Sequence, residues 1–174
     1  MSLDKARQIQ LFLFDVDGVL TDGSVTYIGG DVETKSFNIK DGLGIKLLQD
    51  AGIRVGIITG RVSAMVERRA KELGIDQVTQ GREDKGAALE EVAKENNLDV
   101  NHIAYMGDDL PDLSAMQKAG VAMAPADAHT DVLSIADWTA TKKGGAGAVR
   151  EACDFILMAM GSYAKVTEHF WEHE

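Results

Sequence analysis

The sequence predicts an α/β fold: a doubly wound parallel sheet with a protruding β-hairpin and no cap domain. Three observations carry that expectation. Short apolar runs at 11–14, 53–58, 103–106 and 121–123 suit strands buried on both faces. Stretches with apolar residues at helical spacing lie between them. Polar residues follow the runs at Asp15, Thr59 and Asp108, where the strands of an open α/β sheet present their carboxyl ends to ligands.

The first strand, Leu11-Phe12-Leu13-Phe14, continues into Asp15-Val16-Asp17-Gly18. Gly18 frees the chain to turn, so that Asp15 and Asp17 converge beyond the strand end. Two such like charges repel, which points to a cation between them, a shared proton or a cationic substrate. Two β-prone runs then flank Gly29-Gly30-Asp31 and predict a hairpin over about 24–37. The next helix is expected to take Asp41 as N-cap, turn Leu43, Leu47, Leu48 and Ala51 inward and close at Gly52. The strand 53–58 ends in Thr59-Gly60-Arg61, and Val62, Met65, Val66, Ala70 and Leu73 repeat at helical spacing from Arg61 up to Gly74. A strand over 77–79, a helix over about 84–96 and the strand 103–106 follow, the last leading into Gly107-Asp108-Asp109-Leu110-Pro111-Asp112. Pro111 suits the first position of a helix expected to run to about Ala119.

A strand at 121–123, a short helix over 129–135 and a strand at 138–139 come next. Gly144-Gly145-Ala146-Gly147 introduces a C-terminal helix over about 147–160, with Ala148, Val149, Ala152, Cys153, Ile156, Leu157 and Met160 on one face. The polar stretch 162–174 is expected to be a flexible tail. With no linker or repeat, residues 1–174 are expected to form a single domain.

The formal charge of −10, without a basic cluster longer than two residues, argues against nucleic acid as a partner. A lone cysteine, no signal pattern and no bilayer-length apolar run predict a cytoplasmic protein with no membrane partner. His102, His129, His169 and His173 lack mutual ligand spacing.

Asp15 and Asp17, Thr59, Lys85, and Asp108, Asp109 and Asp112 follow four strands of one parallel sheet, and are therefore expected at one edge. Lys85 also stands in the first turn of a helix, against the positive end of its dipole. Carboxylates, a hydroxyl and a lysine around one point suit phosphoryl transfer to an aspartate. In that reading Asp15 attacks phosphorus, and Mg²⁺ held by Asp15, Asp17 and Asp108, with Lys85 opposite, neutralises the phosphate. Thr59 gives a hydroxyl and a backbone N–H to phosphate oxygens. Asp17 protonates the leaving alkoxide and later activates water, and offers the metal its backbone carbonyl.

In this order, Asp15-Val16-Asp17-Gly18-Val19, Thr59, Lys85 and Gly107-Asp108-Asp109-Leu110-Pro111-Asp112 resemble the four signatures of the haloacid dehalogenase superfamily of phosphohydrolases. Within it, the run Asp15 to Gly23, Phe37-Asn38-Ile39-Lys40-Asp41-Gly42 and the run Gly144 to Glu151 are similar to the phosphatases of 3-deoxy-D-manno-octulosonate 8-phosphate. The resemblance implies Mg²⁺-dependent hydrolysis of an acidic sugar phosphate, through an aspartyl-phosphate, on the route to lipopolysaccharide. It also implies substrate contacts at Asn38, Asp41, Gly42, Lys46, Gly60, Arg61 and Arg69, with Asp109 and Asp112 in support.

No insertion is large enough for a cap. The resemblance implies instead a homotetramer in which a neighbour's surface, including a glycine-rich C-terminal segment, covers the pocket. Lys46 and Ala146 depart from the family pattern, where arginine and a basic residue are expected, and a lysine binds carboxylate without the planar fork of arginine. Three rivals follow: a phosphatase of a sialic-type acid 9-phosphate, a phospho-acceptor domain of the receiver type, and an inactive assembly module. Chain order disfavours the second, because the receiver's phosphorylated aspartate lies on a later strand. The intact acidic, hydroxyl and lysine set disfavours the third.

Overall fold

The computed structural model describes residues 3–28 and 33–171. Its main sheet is entirely parallel, with six strands in the order β5-β4-β1-β6-β7-β8: β1 Leu11–Phe14, β4 Arg54–Ile58, β5 Gln77–Thr79, β6 Ile103–Met106, β7 Val121–Ala124 and β8 Trp138–Thr139. β1 is central, with Leu11 beside Arg54 on one flank and Ile103 on the other. The chain winds outward from β1 first through β4 and β5 and then through β6 to β8. The strand order therefore reverses at β1/β6, the place where such sheets leave a crevice.

Alternation along β1 sends its side chains into two cores. Phe12 and Phe14 pack edge to face, with centroids 5.2 Å apart, under α2 (Ile39–Asp50), α3 (Ala64–Leu73) and α7 (Ala148–Met160). Leu11 and Leu13 face the other layer, of α4 (Lys85–Glu95), α5 (Leu113–Met116) and α6 (Thr130–Ile135). Burial of apolar surface on both faces fixes the strand register, since a slip by one residue would exchange the two cores.

The hairpin lies outside this sandwich. β2 (Thr26–Tyr27) pairs antiparallel with β3 (Glu33–Thr34), and the expected turn Gly29-Gly30-Asp31 lies outside the described residues, as does His173. Tyr27 and Ile28 are exposed.

Four local expectations are corrected. α2 takes Asn38 rather than Asp41 as its N-cap, the Asn38 side-chain oxygen accepting from the Lys40 N–H at 2.9 Å. The buried face of the helix differs accordingly from the expected one. Asp41, Gly42, Gly44 and Ile45 join Leu47 and Leu48 inside, and Leu43 points outward.

α3 begins at Ala64, so Arg61 and Val62 precede it, and Val62 and Met65 are exposed while Val66, Ala70 and Leu73 are buried. A helix to Ala119 is replaced by a 3₁₀ turn at Leu110–Asp112 and the short α5. Finally, the stretch after Gly161, expected to be a frayed tail, forms α8 (Tyr163–Thr167) and a 3₁₀ turn to Phe170. Val166 anchors it in the core beneath α7. Among the described residues no helix is long and apolar enough to cross a membrane.

Candidate active site

The carboxyl end of β1 extends through the Asp15 N–H, which donates to Met106 O at 3.0 Å and keeps Asp15 in line with the sheet. The next turn is tight: Val16 O accepts from the N–H groups of Leu20 at 2.9 Å and Thr21 at 3.0 Å. Gly18 sits at φ +92°, and a Cβ there would stand 2.0 Å from Asp108 Oδ2. Glycine is thus required twice, for the backbone conformation and for the approach of Asp108.

Lys85 is buried and joins two carboxylates, with its Nζ 2.9 Å from Asp15 Oδ2 and 2.7 Å from Asp112 Oδ1. The cation at a helix start is therefore compensated by acids from two other strand ends. Asp112 is the most fully satisfied of these acids. Its Oδ1 also accepts from the Tyr105 hydroxyl at 2.7 Å, and its Oδ2 accepts from the N–H groups of Asp108 at 3.0 Å and Asp109 at 3.2 Å. Asp109 in turn caps the 3₁₀ turn through Leu110 N–H at 2.8 Å. These bonds hold the Asp108–Asp112 loop against Lys85.

Carboxylate oxygens of Asp15, Asp108 and Asp112 lie within 4.8 Å of one another. Asp15 Oδ1 and Asp108 Oδ1 are buried without a hydrogen-bond partner, whereas both oxygens of Asp112 are engaged. A buried carboxylate oxygen left without a donor is costly, and a hard divalent cation relieves two at once. Asp15 and Asp108 therefore fit a metal, and Asp112 fits the role of holding Lys85 and the loop. Burial, with the charge of Asp112 added and Lys85 opposing, pushes Asp15 up to about 6. Burial together with Asp112 and Asp15 pushes Asp108 up to about 8. Burial works to lower the pKa of Lys85, but Asp15 and Asp112 outweigh it and hold the ammonium above its usual range.

Asp17, expected beside the metal, has its carboxylate turned away from that cluster. Its Oδ1 meets Lys35 Nζ, and Arg61 Nε lies 3.8 Å from its Oδ2. Thr59 is buried at the end of β4, but its N–H donates to Thr79 O at 2.9 Å and so leaves only the hydroxyl for a ligand. Asp15, Asp17, Thr59 and Lys85 open into a cavity of about 540 Å³ whose other walls are Gly60, Arg61, Glu83 and Pro111.

The remaining expected substrate contacts divide differently. Gly60 and Arg61 line the cavity, whereas Asn38, Asp41, Gly42, Lys46 and Arg69 lie on the α2–α3 flank outside its lining. Besides capping α2, Asn38 donates from Nδ2 to Gly145 O at 3.3 Å. Asp41 is buried, its Oδ1 accepting the Arg150 N–H at 2.7 Å, and burial pushes its carboxyl up to about 6. It ties α2 to α7. Arg69 lies over the Phe37 ring at 5.8 Å and close above Gly42, where a Cβ would meet its Nη2 at 2.5 Å. Lys46 is exposed on α2.

The glycine-rich segment of this chain packs beneath its own Asp15–Asp22 turn. Gly145 N–H donates to Val19 O at 3.0 Å, and a Cβ on Gly144 would stand 1.8 Å from Gly18 O. This segment buttresses the Asp15–Asp22 loop from behind, a role that its expected place in a neighbour's cover did not foresee. Lys35, Glu33 and Tyr105 went unforeseen as well. Each is an ordinary residue in sequence, and only the fold brings it to the acids.

Comparison with known proteins decides the family. Residues 77–152 match a family model described as haloacid dehalogenase-like hydrolase. The 3-deoxy-D-manno-octulosonate 8-phosphate phosphatase of Escherichia coli K12 is 42% identical over 157 residues, 90% of this chain and 84% of the relative. The chain belongs to this phosphatase family within the haloacid dehalogenase-like hydrolases.

A Moraxella catarrhalis member, solved in complex with magnesium ion, phosphate ion and the KDO molecule, superposes with a TM-score of 0.95 at 45% identity, covering 97% of each chain. The cobalt-bound family member from Haemophilus influenzae superposes at 0.89 with 40% identity, covering 92% of this chain and 94% of its own.

Proposed function

We propose that this chain hydrolyses 3-deoxy-D-manno-octulosonate 8-phosphate to the free sugar acid and phosphate, as a Mg²⁺-dependent phosphoric monoester hydrolase acting through an aspartyl-phosphate. One observation carries the reading: Asp15 Oδ1 and Asp108 Oδ1 are buried and unpartnered beside the Lys85–Asp112 pair. The family membership and the ligands of the Moraxella relative support the substrate class and the metal. Asp15 and Asp108 hold the metal with the backbone carbonyl of Asp17. Bound Mg²⁺ neutralises phosphate charge and keeps the neighbouring carboxylates ionised.

Lys85 secures Asp15 Oδ2 and adds positive charge beside the transferring group. An Asp15 oxygen forms a bond to phosphorus as the phosphorus–oxygen bond to the sugar breaks. The electron pair stays on the sugar oxygen, which takes a proton from Asp17. The Asp17 carboxylate then removes a proton from water, whose oxygen attacks phosphorus. The Asp15–phosphorus bond breaks, phosphate leaves and Asp15 is regenerated. The Thr59 hydroxyl donates to a phosphate oxygen, and Arg61, in the cavity wall with its Nη2 held by Glu33 Oε2, presents positive charge to the sugar carboxylate at the mouth.

Homotetramer formation belongs to the same reading, supported by the exposed Tyr27 and Ile28 on the hairpin and the exposed Val62 before α3. A cytoplasmic location, with no nucleic-acid or membrane partner, completes the proposal. Phosphate release from a panel of acidic sugar phosphates tests it. The eight-carbon substrate with Mg²⁺ should turn over fastest, and Asp15→Asn should abolish release. Equal or faster turnover of a nine-carbon sialic-type 9-phosphate, or an active Asp15→Asn protein, overturns it.

A further inference from the structure

Four charged side chains close a ring that neither the metal cluster nor the nucleophile uses. Lys35 Nζ meets Asp17 Oδ1 and lies 3.1 Å from Glu33 Oε1. Arg61 Nη2 lies 2.9 Å from Glu33 Oε2, and Arg61 Nε lies 3.8 Å from Asp17 Oδ2. The charges alternate around the ring and cancel. Lys35 is its most enclosed member, with a side chain only 1% exposed against 20% for Asp17 and 46% for Arg61. Glu33 lies in β3 and Lys35 follows it, so the hairpin reaches the active site through this ring.

The two oxygens of Asp17 are not equivalent. Lys35 holds Oδ1, whereas Arg61 Nε lies 3.8 Å from Oδ2, beyond hydrogen-bond reach. Asp17 also lines the cavity. Holding one oxygen fixes rotation about the last side-chain bond and leaves the other for the reaction.

We propose that Lys35 is the positioning residue of Asp17: it holds Oδ1 so that Oδ2 faces the water that cleaves the aspartyl-phosphate, and Glu33 braces the ammonium in place. This rests on the phosphatase reading above. The step concerned is the transfer of a water proton to Asp17 as the water oxygen bonds to phosphorus and the Asp15–phosphorus bond breaks. General-base catalysis contributes on the order of 10²- to 10⁴-fold, and a misaimed base loses part of it.

The test is rapid-quench and steady-state kinetics with the sugar phosphate and Mg²⁺ on Lys35→Met and Lys35→Arg. In Lys35→Met, kcat should fall on the order of 10- to 100-fold and kcat/KM by less, because Asp17 also gives its proton to the departing sugar oxygen in the first step. Acid-stable phosphoenzyme should accumulate as a pre-steady-state burst. Lys35→Arg, which keeps the charge, should recover kcat to within about threefold of the parent. A parental kcat in Lys35→Met, a joint loss of kcat and kcat/KM without a burst, or an equal loss in Lys35→Arg overturns the assignment to Lys35 and leaves the phosphatase reading standing. A parent protein inert toward every sugar phosphate overturns both.

Discussion

Gly18→Ala tests whether the catalytic turn and the metal cluster are one construction. At φ +92° an L-residue sits where the backbone costs about 1–2 kcal/mol. The added methyl would also stand 2.0 Å from Asp108 Oδ2 and 2.4 Å from Asp108 Cγ, closer than real Cβ contacts come. The Asp108 carboxylate must therefore retreat by about 1 Å, and a misplacement of that size in a catalytic constellation costs about 10²-fold. Backbone strain and clash together destabilise by roughly 2–4 kcal/mol, about 4–16 °C in Tm for a chain of this size.

The strain can be separated from the clash with Gly52→Ala. Gly52 has φ +86°, and a methyl group there would meet nothing within 4 Å. Thermal unfolding, Mg²⁺ titration and phosphate release on both variants form the assay. Gly52→Ala should lose about 1–2 kcal/mol of stability and keep metal affinity and kcat. Gly18→Ala should lose stability, Mg²⁺ affinity and at least about 10² in kcat/KM. Parental Mg²⁺ affinity and turnover in Gly18→Ala would refute the link between the turn and Asp108.

Three further outcomes follow from the same geometry. Lys85→Met strands the carboxylates of Asp15 and Asp112 without their shared cation and should cost about 3–5 kcal/mol in denaturant unfolding, with loss of turnover. Mg²⁺ at about a hundred times its Kd should stabilise the protein by about 2.7 kcal/mol, a gain that a chelator reverses and Asp108→Asn abolishes in a melting experiment. Burial lifts Asp41 from 3.8 in the unfolded chain to about 6 in the fold, so its contribution to stability is fully present below 3.8 and is lost as the pH rises through 6. Asp41→Asn keeps an acceptor for the Arg150 N–H without the charge. It should match the parent near pH 4 and exceed it by about 2–3 kcal/mol at pH 8, as read from denaturant midpoints.

The chemistry was legible in sequence because it lies at strand ends, whose order a parallel sheet dictates. Asp15, Thr59 and Asp108 each follow a strand that the apolar runs mark, Lys85 opens the helix after the short strand 77–79, and right-handed crossovers then bring all four to one edge. The start of α2 was harder to read, because Asn38 and Asp41 are both good caps and only tertiary packing chooses between them. Taking Asn38 turns Asp41 into the interface with α7 and Leu43 out of it, one choice that reverses two expectations.

Val62 and Met65 fit the helical period but precede or flank the buried face of α3, so periodicity alone placed them inside. The stretch after Gly161 is polar in composition, yet Val166 suffices to dock it. Lys35 and Glu33 could not have been selected at all. Their meaning comes from a hairpin folding back on the first strand's loop, a contact between segments that no local pattern encodes.

The charges around the cavity fall into two groups with different requirements. Asp17, Lys35, Glu33 and Arg61 carry two negative and two positive charges, and their ring is neutral as it stands. Asp15, Asp108 and Asp112 face Lys85 alone, which leaves two formal negative charges in a largely buried place. Burial first, and that excess after it, push Asp15 and Asp108 upward. A dication matches the deficit in the acidic group and would upset the neutral one. The same arithmetic supports the proposed division of labour, in which Asp17, only two residues from Asp15, serves proton transfer and Asp15 the metal and phosphorus: Lys35 and Arg61 withdraw the Asp17 carboxylate from the cluster that would otherwise claim it.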